Sequence, residues 1–250
     1  MLRLAWLLLL LALPAMAQPV PLSLTAPRGE LLLAWSDGRV MRGAELVGGT
    51  LTIGGQRVTL AAAQPDPEDR QNEIWLYRLR LADGAEFCEP DPKGERWALT
   101  LPDAAAPGGF RLTCSGGANG KCLRFGYPPW REWPGVGSLA PWYAACTNLV
   151  RAAYGGPERG WTRNGMPIDI YDRIGIQAPA NDRGQHFEAG WAPEGAVCVA
   201  HVRVPENGGL AAVRAAAPRL AGRLGPAACT EARAAAWGAL LFNRSPVRRQ

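Results

Sequence analysis

Apolar and polar positions alternate through the first half of the chain and take up a helical period in the second. Glu30 to Trp35 predicts a strand, and Asp37-Gly38 after it a turn. Thr50 to Ile53 and Arg57 to Leu60 predict two more strands, with Gly54-Gly55-Gln56 between them as a hairpin signal. From Glu73 to Leu81, Trp75, Tyr77, Leu79 and Leu81 share one face. Ile74, Leu76, Arg78 and Arg80 share the other, which turns polar only toward its end. Asp83-Gly84 then turns the chain into Ala85 to Cys88, and Trp97 to Leu101 and Phe110 to Cys114 are further short strands. Gln64 to Asn72 is polar, carries two prolines and predicts an exposed loop. Short strands divided by Gly and Pro point to a sandwich or small barrel rather than to parallel units.

Tyr127 to Pro141 is rich in Pro and Trp and predicts irregular chain, with Pro141 suited to a helix N-terminus. Beyond it Trp142, Cys146, Leu149, Val150 and Ala153 form one stripe, and Thr147, Asn148 and Arg151 fall mostly off it. Gly155-Gly156-Pro157 is the expected stop. Ile168 to Tyr171 predicts a short strand and Ala196 to Val204 a stronger one. On the latter Cys198, Ala200, Val202 and Val204 share the apolar face, and Val197, Val199, His201 and Arg203 the other. Two helices are expected near Leu210 to Leu224, split or kinked at Pro218, and Ala227 to Phe242. On the second, Cys229, Ala232, Ala236, Trp237 and Leu240 line up. The expectation is an α+β fold. A β-rich region covers 18–130, and a mixed region of helices packed on short strands covers 131–250, as one continuous unit or two coupled ones.

The first residues stand apart from this pattern. Arg3 followed by apolar Leu4 to Leu13, Pro14 and then Ala15-Met16-Ala17 reads as a signal peptide over 1–17, cleaved so that Gln18 leads. The apolar run is too short for a spanning helix, which argues against an uncleaved anchor, and no later stretch is long and apolar enough to cross a membrane. Secretion or a periplasmic location follows. The formal charge of +5 falls by one when Arg3 leaves. No Lys/Arg stripe accompanies it, so nucleic acid is not an expected partner. Arg244, Arg248 and Arg249 are the nearest thing to one, and they read as a solvated terminus. An apolar fraction of 48% with ten Trp excludes a disordered chain.

Export gives meaning to Cys88, Cys114, Cys122, Cys146, Cys198 and Cys229. An even count in an oxidising space predicts three disulfides, while no CxxC or HxxxH spacing supports zinc, and no metal or cofactor is expected. Six cysteines allow fifteen pairings. Cys114 and Cys122 flank the turn-rich Ser115 to Lys121, whose ends can meet. Closing that loop would contribute about 2.5 kcal/mol. Cys146, Cys198 and Cys229 all fall on faces expected to be buried, where cysteines are staples more often than nucleophiles.

Cys146 to Gly156 reads CTNLVRAAYGG and resembles the signature of the ADYC-domain proteins, exported bacterial proteins named for an Ala-Asp-Tyr-Cys motif. Gly120-Lys121-Cys122 with Gly126 to Trp130, Ile168 to Asp172, and Phe187 to Trp191 with Glu194 to Cys198 look like the same family. The resemblance implies an exported, disulfide-bonded domain and supplies no reaction. At the name-giving motif Ala153 stands where the family has Asp, and Gly155 where it has Cys. The missing carboxylate and thiol are therefore not indispensable catalytic groups here. The even count implies that the partner of that cysteine has gone too.

Among chemical readings, Cys146 near a helix start with His201 on a later strand is the rough arrangement of a Cys/His hydrolase acting on cell-wall or peptide substrate. It is weakened because a helix starting at Pro141 puts Cys146 in the second turn, where the dipole fades, and because His201 points away from the face of Cys198 and should leave the core. Asp169, Asp172, Asp182, Glu188 and Glu194 offer carboxylates for glycosidase chemistry, although carboxylates in loops and strand ends are usually solvated. Asp169 and Asp172 lack the closely spaced oxygens of a calcium loop. His186 reads as a surface or hydrogen-bonded side chain. The leading functional reading is a structural or binding domain. Tyr127, Trp130, Trp133, Trp142 and Tyr143 either form a platform for glycan or peptide, with Arg124 and Arg131 adding charge, or pack into a core.

Overall fold

The computed structural model describes residues 18–247 apart from 104, 107 and 181–183. The leader up to Ala17, Asp182, Arg248 and Arg249 therefore lie outside the described residues. Strands β1 (Pro21–Thr25), β2 (Leu32–Trp35) and β3 (Val40–Arg42) form a small antiparallel sheet. A five-stranded antiparallel meander follows: β4 (Thr50–Ile53), β5 (Gln56–Pro65), β6 (Trp75–Leu81), β7 (Ala98–Pro102) and β8 (Phe110–Cys114). Helix α1 (Ala118–Arg124), the short hairpin β9 (Glu132–Trp133) and β10 (Gly137–Ser138), and helix α2 (Ala140–Arg151) come next. The chain ends with β11 (Asp169–Asp172), β12 (His186–Ala192), β13 (Gly195–Val199), α3 (Gly209–Ala216), α4 (Glu231–Ala236) and β14 (Leu241–Ser245). The four strands pair antiparallel in the order β11-β14-β12-β13. The fold is α+β, as the patterning anticipates.

The β4–β5 turn forms where the glycines require it. Ile53 faces Gln56, and Gly54 and Gly55 both take positive φ, of 57° and 81°. That is the tight hairpin whose twist suits antiparallel strands. Strand β6 has two apolar faces because the meander is covered on both sides. Tyr77, Leu79 and Val58 meet Leu24 and Leu33 from the small sheet and Leu31 just before β2, and the Tyr77 hydroxyl accepts from Leu31 N at 2.7 Å. On the other side Ile74, Leu76, Leu99 and Leu101 meet Leu123 of α1, Trp130 and Tyr143 of α2. In the second half α2 and β12 share one core, and α4 packs with Phe242, Val197 and Cys198 in another.

Each disulfide staples one of these cores. Cys88 pairs with Cys114 in the first sheet pair, Cys122 with Cys146 between α1 and α2, and Cys198 with Cys229 under α4. The suggested Cys114–Cys122 link is thereby corrected. Ser115 to Lys121 is no closing loop. Helix α1 starts at Ala118 and aims Cys122 at α2, while Cys114 ends β8 beside Cys88. Such cross-links are compatible with an oxidising compartment. Among the described residues no helix is long and apolar enough to cross a membrane.

Several element boundaries depart from the patterning. Pro141 opens α2 as expected, but the helix stops at Arg151, where Ala152 turns left-handed with φ 51°, before the glycine pair is reached. Asn148 is buried, not off the packed stripe. It donates from Nδ2 to Pro193 O at 2.8 Å and so holds the β12–β13 turn. Pro218 does split the first C-terminal helical segment, into α3 and a single 3-10 turn. The second segment is corrected: only Glu231–Ala236 is helical, Gly238 breaks the run with φ 85°, and Phe242 lies in strand β14. Strand β13 ends at Val199, because the N–H groups of Ala200 and His201 both turn to Glu188 O. The Gln64 to Asn72 stretch is not simply an exposed loop. Gln64 and Pro65 finish β5, and Asp66 is 1% exposed.

Candidate functional site

The Pro- and Trp-rich stretch folds against two carboxylate-bearing loops. Arg124, at the end of α1, donates from Nε to Asp66 Oδ2 at 2.7 Å and from Nη1 to Glu95 Oε2 at 3.1 Å. Arg131 donates from Nε to Glu73 Oε2 at 2.8 Å and from Nη2 to Asp69 Oδ1 at 2.9 Å. Asp69 in turn accepts the N–H groups of Glu73 and Ile74, so the 66–73 loop is tied at both ends. On the facing side Asp172 accepts from the N–H groups of Ile174, Gly175, Ile176 and Gln177 and from the Tyr127 hydroxyl at 2.6 Å. Trp133 Nε1 donates to Ile174 O at 3.0 Å, and Gln177 Nε2 donates to Phe125 O at 2.8 Å.

Between these loops lies an open cleft of about 320 Å³. Its walls include Glu68, Arg70, Gln71, Trp133, Ile176 and Gln177, with Arg124 and Arg131 behind them. Of the aromatic cluster, only Trp133 reaches this cleft. Tyr127 is 0% exposed and presents no face to solvent. Trp130 and Tyr143 pack on the meander core, and Trp142 packs beside α2's own core. Asp69 and Asp172 have their oxygens engaged by backbone N–H groups, which suits loop building rather than proton transfer.

A second polar assembly is sealed inside the C-terminal half. Glu188 is 0% and Arg203 1% exposed. Arg203 Nε lies 3.0 Å from Glu188 Oε1 and 3.1 Å from Oε2, and its Nη2 donates to Glu188 Oε1 and Leu149 O. The Tyr154 hydroxyl donates to Glu188 Oε1 at 2.9 Å and accepts from Arg203 N at 3.1 Å. Asn243 Nδ2 donates to Glu188 Oε2, and Trp191 Nε1 donates to Asn243 Oδ1, both at 2.8 Å. Burial alone would push the Glu188 carboxyl up. The Arg203 charge and the hydrogen bonds from Arg203, Ser245 and Asn243 outweigh it and hold the carboxyl below its ordinary value. Burial, with the Glu188 charge, pushes the Tyr154 hydroxyl well above its usual range. Every oxygen of Glu188 is thus occupied by protein, so the arrangement locks β12, β14 and the end of α2 together. The expectation of solvated carboxylates fails at Glu188, Asp169 and Asp172, all buried, and holds at Glu194, which is exposed.

The other sequence candidates are placed apart from any shared chemistry. The Cys146 sulfur is bonded to Cys122, and the described residues include no free cysteine. His201 does not leave the core as its strand position suggests. It is half-buried, with Nε2 3.0 Å from Ser245 Oγ, and burial lowers its pKa, against the nearby Glu188 charge. His186 is exposed at the start of β12. Among the described residues no three His, Cys, Asp or Glu side chains are grouped so as to hold a metal. Sequence reasoning missed Arg203, Asn243 and Ser245 in the network and Arg70, Gln71 and Gln177 in the cleft. A signal existed for the network: Glu188 and Arg203 are single charges inside apolar runs.

These observations define a disulfide-stapled α+β domain. The family model described as the ADYC domain matches residues 43–205, and the chain belongs to that family. No curated protein and no solved structure matches it. The motif's tyrosine, Tyr154, is the one in the buried network. At the motif's vacant cysteine position, a Cβ built on Gly155 would lie 3.5 Å from the Cβ of Ala217, with no left-handed φ at Gly155. Bonded cysteines have Cβ atoms about 3.5–4.5 Å apart. Ala217 therefore faces the vacant position. The double variant G155C/A217C is expected to form a fourth cross-link and raise stability by up to about 4 kcal/mol. Iodoacetamide labelling and thermal unfolding with and without reductant check it; two labelled thiols in the non-reduced variant would defeat it.

Proposed function

We propose that this protein is an exported, non-catalytic binding domain, freed of its leader after Ala17, whose cleft beside Trp133 takes a hydroxyl-rich glycan. The observation that carries the reading is the cleft itself, an aromatic ring flanked by amide and charged groups that are already fixed in place. Trp133 is held through Ile174 O, Gln177 through Phe125 O, and Arg131 through Asp69 and Glu73. Prefixed walls lose little side-chain entropy on binding. An indole face with amides and carboxylates at its rim suits a sugar ring, which offers an apolar face and hydroxyls at its edge. Three disulfides support the same reading by holding the scaffold outside the reducing cytosol. The bonded sulfur of Cys146 leaves no thiolate for Cys/His chemistry with His201.

The test is isothermal titration of the mature protein against soluble oligosaccharides and short peptides. Trp133→Ala is expected to weaken glycan binding at least about tenfold, or about 1.4 kcal/mol. Binding of peptides alone, or glycan binding that Trp133→Ala leaves unchanged, would overturn the assignment.

A further inference from the structure

A separate cavity of about 240 Å³ has Phe125 in common with the cleft among its lining residues. Its charged lining is Lys121, Arg151, Arg163 and Arg203, and no carboxylate lines it. Arg203 brings no net charge, because Glu188 neutralises it. The other three cations are not so matched. Arg151 donates from Nη1 to a neutral acceptor, Pro157 O. Arg163 meets Glu206 only across 3.9 Å, with both side chains half exposed to water. Lys121 forms no ion pair among the described residues. The carboxylates of the neighbouring hollow that it also borders, Glu68 and Asp91, are engaged by Lys93, Arg124 and Ser115. Phe125, Val150 and Ile168 supply an apolar wall.

Like charges gathered round a half-enclosed, partly apolar hollow repel one another and concentrate a positive potential there. An anion entering it relieves that repulsion. Guanidinium groups and an ammonium on a rim suit an oxyanion, and the apolar wall suits a ring or short chain attached to it. We infer that this cavity is a binding site for a small organic oxyanion, a carboxylate or phosphate monoester carrying an apolar body, gripped by Lys121, Arg151 and Arg163. It is independent of the glycan cleft, since it shares only Phe125 with it.

The experiment titrates the mature protein at low salt with benzoate, phenyl phosphate, inorganic phosphate and the neutral benzyl alcohol. Heat release and the shift of the unfolding midpoint are read together. Benzoate or phenyl phosphate is expected to bind at least tenfold more tightly than benzyl alcohol, and phenyl phosphate more tightly than inorganic phosphate. Affinity is expected to fall with added sodium chloride, as screening requires. Which anion binds better separates a carboxylate site from a phosphate site. Lys121→Gln and Arg163→Gln should each weaken binding about tenfold, with Trp133→Ala without effect. Arg163 is exposed, so Arg163→Gln keeps the test sound should Lys121→Gln lower stability. The inference is overturned if neither aromatic anion binds, if benzyl alcohol or inorganic phosphate binds as tightly, or if both Gln variants leave affinity unchanged.

Discussion

Arg203→Met is expected to destabilise the folded protein by about 3–5 kcal/mol, because it strands Glu188 as an unpaired charge in a closed interior. Arg203 has two duties. Its Nε and Nη2 satisfy Glu188, and its Nη2 and Nη1 reach Leu149 O and Val150 O in the last turn of α2. Carbonyls at the C-terminal end of a helix have no intrahelical donor, and a cation there also interacts favourably with the negative end of the helix dipole. The double variant E188Q/R203M removes the stranded charge and keeps an acceptor for Tyr154, so it should lose less than R203M alone. Acid titration supplies a second readout, with a sign that reverses. In the native chain the Glu188 carboxyl is held below its ordinary 4.5, so its contribution is present above that pH and is lost as pH falls through the folded value. Without Arg203, burial dominates and raises the folded pKa. The variant should then gain relative stability as pH falls through the raised folded value toward 4.5, above the window in which the native protein loses it. Urea unfolding of the three proteins from about pH 2 to 8 covers both windows. A loss below about 1 kcal/mol for R203M would mean that the pair is not what closes this interior.

The parts of the fold that local patterning reveals are those held by local physics. The β4–β5 hairpin follows from alternation and two adjacent glycines, and the α2 start follows from Pro141. What escapes is set by distant partners. Helix α1 hides among turn residues. Its Gly120 is there because a Cβ would collide with the Cys114 carbonyl, a packing demand that no propensity scale contains. Strand β14 hides because Asn243 and Ser245 are polar at buried positions, where they serve Glu188 and His201. The 64–72 segment looks like a solvated loop because its carboxylates look free. Their partners, Arg124 and Arg131, lie 58 and 62 residues away. The aromatic cluster was legible as a cluster, but which ring would line a cleft depended on the 172–177 turn, whose ties run through backbone N–H groups.

Removing the Cys122–Cys146 bridge as C122A/C146A is expected to cost about 2–4 kcal/mol, with much of the local effect felt in α1. Helix α1 spans only seven residues, too few to hold together unaided in water. Its anchors are Cys122 in the α2 core and Leu123 in the meander core, with Arg124 bound to Asp66 just beyond. Cutting the first anchor leaves Leu123 and an ion pair to position the turn that carries Phe125, the wall shared by both cavities. Hydrogen exchange at 118–126 should therefore accelerate more than exchange in β5 or β6, which the Cys88–Cys114 bridge and the meander pairing still hold. A global loss with uniform exchange would show that the bridge acts only through the unfolded chain. A loss under about 1 kcal/mol with α1 still protected would show that packing alone seats the helix, and that the cross-link between α1 and α2 is not what shapes the two cavities that Phe125 lines.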